Sequence, residues 1–162
     1  LLIVFGGLPG VGKTTVAKAL ARELRAVYLR VDTIEQVLRR EGVSVWAHGY
    51  EVGYALAEEN LRLGRVVVAD SVNPLKLTRE AWLAVAARAG VRAVEFELVC
   101  SDKAAHRRRV ESRVADNPGH DVPNWDAVMA HDYEPWDRPP AVVDTAGRAV
   151  EEIVQDVQML LI

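Results

Sequence analysis

The apolar residues fall into short continuous runs that alternate with stretches of helical period. Leu1 to Phe5 is unbroken apolar and ends in Gly6-Gly7. From Lys13 to about Leu24 the apolar residues Val16, Ala17, Leu20, Ala21 and Leu24 recur on one helical face. Val27 to Val31 reads as a second strand and Thr33 to Arg40 as a short helix. A further helix is predicted over Val52 to Leu63, closed by Gly64. Val66 to Ala69 is a third apolar run, followed by Asp70-Ser71-Val72-Asn73-Pro74. The pattern continues with a helix from about Leu77 to Ala89, a strand from Val91 to Val99 and a helix from Lys103 to Val114. Asp116 to Asn124 is polar, carries Pro118, Gly119 and Pro123, and predicts a mobile loop. A helix near Trp125 to Tyr133, a strand at Ala141 to Val143 and an amphipathic helix striped by Val150, Ile153, Val154, Val157 and Leu161 complete the pattern.

Five short apolar strands separated by helices require a parallel sheet covered on both faces, because each strand has two apolar sides to bury. The expected fold is a three-layer α/β domain. With 162 residues the chain is long enough for one domain, taken as 1–162.

Composition narrows the function. A formal charge of −3 argues against a general nucleic-acid coat, which needs a cationic surface to displace counterions. The one cysteine, Cys100, excludes an internal disulfide framework and a multi-cysteine zinc site. No apolar run reaches the roughly 18 residues needed to cross a bilayer, so a soluble cytoplasmic location is expected. The chain opens at Leu1 inside an apolar run, which suggests that residues precede it.

Gly7-Leu8-Pro9-Gly10-Val11-Gly12-Lys13-Thr14 fits G-x-x-x-x-G-K-[ST] completely, between a strand and an amphipathic helix. Glycines let the backbone N–H groups turn inward around phosphates at a helix N-terminus. Lys13 supplies a charge for the β- and γ-phosphates, the Thr14 hydroxyl can coordinate Mg²⁺, and the binding segment extends to Thr15. The expected ligand is Mg·ATP. An Asn/Thr-Lys-x-Asp guanine signature is absent.

Asp32 follows the second strand, where strand C-termini line one crevice, and should face the γ-phosphate end of the nucleotide. A carboxylate there can accept a proton from an attacking hydroxyl. Asp32-Thr33-Ile34-Glu35 also reads as a capping box with Asp32 as N-cap. Asp70 ends the third run and is a candidate Mg²⁺ carboxylate, or a turn residue. Arginines concentrate in His106-Arg107-Arg108-Arg109-Val110-Glu111-Ser112-Arg113. Arg109 and Arg113 share a face at i,i+4 just ahead of the polar loop, so a lid near 107–124 could close them over the transferring phosphoryl group. A solvated charged face is the alternative, and suits Arg107 and Arg108.

His48 and Tyr50 lie where an acceptor would bind, although Tyr50 and Tyr54 could equally be core. Asn73 could hydrogen-bond the acceptor or make a turn before Pro74. The run from Asp132 to Pro140, with its aromatics and carboxylates, could line the acceptor pocket but reads first as a surface connection packed by Trp136. The histidines show no metal-ligand spacing, which leaves nucleotide-borne Mg²⁺ as the inferred metal.

Together, the phosphate loop, Val31-Asp32, the Asp70 to Pro74 turn and the Arg109/Arg113 pair resemble the small P-loop kinases of the nucleoside-kinase superfamily. The likeness is greatest to the 5′-kinase domain of polynucleotide kinase, with gluconate and shikimate kinases, chloramphenicol phosphotransferase and zeta-type toxins as relatives. It spans roughly residues 1 to 115. It implies a five-stranded parallel sheet, Asp32 as general base, Arg113 as leaving-group stabiliser, and adenine near Asp144-Thr145-Ala146-Gly147. The Asp70 turn is one residue shorter than the polynucleotide-kinase pattern. Between residues 41 and 56 the only charges besides His48 are Glu41 and Glu51, so no DNA-end groove is evident. The activity expected is transfer of the ATP γ-phosphate to a hydroxyl of a small molecule. A 5′-end kinase of RNA or DNA and a non-catalytic ATP-binding regulatory module are the alternatives.

Overall fold

The computed structural model describes residues 1–112 and 122–162. Strands β1 (Leu2–Gly6), β2 (Val27–Arg30), β3 (Val67–Asp70), β4 (Ala93–Val99) and β5 (Ala141–Asp144) form one parallel sheet in the order β2-β3-β1-β4-β5. Helices α1 (Lys13–Leu24), α2 (Val31–Arg40), α3 (His48–Arg62), α4 (Lys76–Arg88), α5 (Lys103–Glu111), α6 (Trp125–Met129) and α7 (Val150–Met159) connect and cover it. The expected three-layer α/β architecture with its five-stranded parallel sheet is the observed one.

Alternation along β1 sets the layers. Ile3 and Phe5 point to one face and pack with Val16, Ala17 and Leu20 of α1 and Ile153, Val154 and Val157 of α7. Leu2 and Val4 point to the other, against Tyr54, Ala57 and Leu61 of α3 and Trp82 and Val85 of α4. Every residue of β1 is buried, because it is the central strand and both its faces are covered. No helix among the described residues is long and apolar enough to cross a membrane.

Several boundaries differ from the sequence pattern. The second helix begins at Val31 rather than Thr33, so β2 passes into α2 with Arg30 as N-cap and no intervening loop. Asp32 therefore lies inside the first helical turn, and the expected Asp32–Glu35 capping box does not form. Glu35 instead takes the Arg39 guanidinium one turn on, at 3.0 Å. The third helix starts earlier than expected, at His48, and the sixth ends at Met129. Beyond it, residues 132–140 run without helix or strand. Arg113 and most of the expected lid loop lie outside the described residues.

Candidate active site

The phosphate loop leaves β1 at its C-terminal end and turns into α1. Gly7 sits at φ 131°, and a Cβ there would come within 2.2 Å of the Leu98 carbonyl on β4. Only glycine tolerates both the left-handed backbone and that approach. Gly10 is at φ 84°, with Val110 2.5 Å from where its Cβ would be. Helix α5 therefore lies directly against the loop. Gly12 precedes α1 without a side-chain cap. The first-turn N–H groups thus lack a capping side chain, the arrangement that holds an anion at a helix N-terminus.

Lys13 is buried and donates from Nζ to the Leu8 carbonyl at 2.8 Å, folding back over the loop whose phosphates it would contact. His106 braces the loop from α5. Its Nε2 lies 2.8 Å from the Pro9 carbonyl, an acceptor only, so this nitrogen carries the proton. Trp125 meets the His106 ring edge-on at 5.1 Å. Arg109 does not extend toward the acceptor side. Its fork spans Thr145, donating to Oγ1 at 2.9 Å and to the carbonyl at 3.1 Å. The Thr145 hydroxyl in turn donates to the Val11 carbonyl at 2.7 Å. Arg109, the loop after β5 and the phosphate loop are thereby one connected unit.

At the other side of α1, Asp70 is 2% exposed and takes the Tyr28 hydroxyl on Oδ2 at 2.7 Å. Arg30, opposite Asp70 in the β2–β3 register, approaches that oxygen at 4.0 Å and Asp32 at 3.5 Å. One buried guanidinium thus stands between the two carboxylates singled out from the sequence. Tyr28 and Arg30 were missed there. Their signal is the two-residue spacing that puts both on one face of a strand.

These groups open into a single cleft of ≈ 980 Å³. Gly10, Gly12, Lys13, Thr14 and Thr15 form its middle, and Thr145, Arg148, Val150 and Ile153 close one end. Asp32, Glu35, Tyr50, Asp70 and Ser71 line the other. Asp32 keeps a third of its side chain exposed. Burial raises the Glu35 carboxyl above its ordinary value, Arg39 opposes the shift, and the Asp32 charge adds to it. Burial likewise pushes the Tyr50 hydroxyl up to about 12, despite the Asn73 N–H bonded to it at 3.1 Å and the nearby Ser71 hydroxyl.

Among the lesser candidates, Tyr50 lines the cleft, whereas Tyr54 packs on Trp82 and bonds the Thr78 carbonyl. His48 is exposed and outside the cleft lining. The Asn73 amide is fully engaged in the turn, donating to the Phe5 carbonyl and accepting from the Trp82 indole. Cys100 is buried. Among the described residues no group of three or more His, Cys, Asp or Glu could hold a metal ion.

The model of the AAA domain family matches residues 2–131. The probable adenylyl-sulfate kinase of Aeropyrum pernix is 26% identical over 163 residues, 95% of this chain and 88% of that protein. A kinase candidate from Chloroflexus aurantiacus superposes with a TM-score of 0.77 at 27% identity, covering 98% of this chain and 96% of its own. The APS kinase of Mycobacterium tuberculosis, solved with AMPPNP and APS, superposes with a TM-score of 0.72 at 23% identity over 99% and 96%. The fold, the phosphate loop and these likenesses converge: the chain belongs to the AAA domain family and is a kinase-like P-loop domain of the nucleoside-kinase superfamily.

Proposed function

We propose that this protein transfers the γ-phosphate of Mg·ATP to a hydroxyl of a small molecule. The observation that carries the reading is the position of Asp32. It stands on the first turn of α2, part-exposed, in the same cleft as the phosphate loop and on the side away from Thr145. A nucleotide with its base toward Thr145 and its phosphates on Gly10 to Thr15 would direct its γ-phosphate at this carboxylate. An acceptor hydroxyl between them could pass its proton to Asp32 as it attacks phosphorus.

The residues present fit the metal. The Thr14 hydroxyl and the Asp70 carboxylate are hard oxygen donors, and the nucleotide phosphates would supply the rest. Asp70 accepts the Tyr28 hydroxyl on one oxygen, and an ionised carboxylate can accept several more contacts. When bound, Mg²⁺ would neutralise charge on the β- and γ-oxygens. Lys13 shares that role, while Arg30, 3.5 Å from Asp32, would keep that carboxylate oriented. Arg109 holds the Thr145 loop against the phosphate loop. Arg113, by resemblance, would stabilise the leaving group.

The test is transfer of labelled γ-phosphate from Mg·ATP into a filtered small-molecule extract. Native protein should form a labelled product, and Asp32→Asn should form it at least about a hundredfold more slowly, as expected for loss of a general base. Nucleotide affinity should be retained in that variant. Tight ATP binding with no labelled small molecule, or label entering only oligonucleotide 5′ ends, would overturn the reading. A full rate in Asp32→Asn would remove the base assignment.

A further inference from the structure

Side chains grip the phosphate loop at three of its carbonyls. Lys13 Nζ donates to Leu8 at 2.8 Å, His106 Nε2 to Pro9 at 2.8 Å and Thr145 Oγ1 to Val11 at 2.7 Å. A trans peptide unit is planar, and its C=O and N–H point opposite ways. Fixing one carbonyl therefore fixes the direction of the N–H that follows. Leu8 is followed by Pro9, which has no N–H, so that grip orients no donor. The other two orient the N–H groups of Gly10 and Gly12, and both glycines line the cleft.

The grip on Pro9 comes from the arginine helix. His106 and Val110, one turn apart, are the buried residues of α5. A Cβ on Gly10 would lie 2.5 Å from Val110 and 3.3 Å from the His106 ring, so the imidazole rests against the Gly10 backbone itself. Trp125 of α6 meets the ring edge-on, at 5.1 Å and 85°, and limits its rotation. Packing alone asks only for an apolar side chain at this buried position. What a histidine adds is a donor for the Pro9 carbonyl, and the neutral ring supplies it from Nε2.

We infer that His106 is a positioning residue for the nucleotide: by holding the Pro9 carbonyl, it aims the Gly10 N–H at a bound phosphate. This rests on the nucleotide part of the reading above and is independent of the acceptor. Released from His106, the Pro9–Gly10 peptide could rotate, because Gly10, at φ 84°, has the backbone freedom to follow. The rotated unit would present a carbonyl oxygen to the anion where the loop needs an N–H. His106 thus acts through the backbone, without using a charge of its own.

The experiment measures Mg·ADP binding by calorimetry to the native chain, His106→Leu and His106→Gln. Glutamine places an uncharged amide N–H at about the reach of Nε2. His106→Leu should bind about tenfold more weakly, the scale of one hydrogen bond to a charged group. His106→Gln should stay within about threefold of native. By NMR of isotope-labelled protein, the Gly10 amide proton should move downfield when ADP is added to native chain or His106→Gln, and far less in His106→Leu. Lost packing alone would leave that Gly10 response in place. Should His106→Leu fail to fold, His106→Asn takes its place with the same expected weakening, since its amide stops at the reach of Nδ1. A silent Gly10 amide in native protein that binds ADP overturns this inference and leaves the phosphotransferase reading intact. So does equal affinity in all variants, or a loss in His106→Gln as large as in His106→Leu. Failure of the native chain to bind ADP overturns both.

Discussion

The Tyr28 hydroxyl donates to Asp70 Oδ2 at 2.7 Å across neighbouring strands β2 and β3. Burial and the Asp70 charge hold the Tyr28 hydroxyl far above its ordinary pKa, so it stays a neutral donor at any working pH. Asp70, 2% exposed, thus meets one phenol and one guanidinium. Tyr28→Phe removes the donor and keeps the ring. The expected loss is about 1–3 kcal/mol in urea denaturation, the scale of a hydrogen bond to a charged group. The Mg²⁺ concentration for half-maximal transfer should shift as well. Unchanged values in both would show that Arg30 alone suffices to hold Asp70.

Arg109 binds Thr145 through two nitrogens of one planar fork. Lysine has the charge but not the fork. Arg109→Lys should loosen the loop after β5 and weaken binding of an ATP analogue by about tenfold, or ~1.4 kcal/mol, when measured by calorimetry. Equal affinity in the variant would mean that the Thr145–Val11 bond is enough by itself.

Arg79 is fully buried and, among the described residues, pairs with no carboxylate. Its guanidinium donates to the carbonyls of Asn73, Pro74, Glu134 and Pro135 and lies 4.3 Å over the Trp136 ring. It ties the segment after α6 to the turn after β3. Arg79→Met leaves several buried carbonyls without donors, and the expected cost is above about 3 kcal/mol. Arg79→Lys should recover part of it. A melting temperature within a degree or two of native for Arg79→Met would refute the latch.

Asp144 and Glu35 should act oppositely on stability as pH changes. The Ser101 hydroxyl and N–H, with help from the Ala146 N–H, hold the Asp144 carboxyl below its usual value of 3.8. Its contribution is present above that value and is lost as pH falls through the depressed one. Burial raises Glu35 above 4.5, so the folded state favours the protonated form, and stability declines as pH rises through the raised value. Asp144→Asn should flatten the acid limb of the stability curve. Glu35→Gln should gain stability near neutrality and nothing near pH 4. Parallel curves for all three proteins would contradict both assignments.

The phosphate loop and α1 were legible in sequence because their determinants are local. The loop needs glycine where φ is positive, and α1 shows its apolar face within three turns. The boundary at Asp32 was not legible, since Val31 suits a strand end and a helix start equally. Its burial against α3 and α4 selects the helix. Asn73 was ambiguous for a related reason. Its amide reaches Phe5 and Trp82, and neither partner is near enough in sequence to be inferred.

By itself the sequence determined a parallel α/β fold with a phosphate loop and a carboxylate at the end of β2, because hydrophobic period and backbone freedom are properties of short segments. Tertiary structure decided which charges meet. Strand order and register put Arg30 beside Asp70, 40 positions away in the chain. The packing of Val110 against Gly10 turned Arg109 to Thr145. Both meetings join segments distant in the chain that come together only when the sheet buries both its faces.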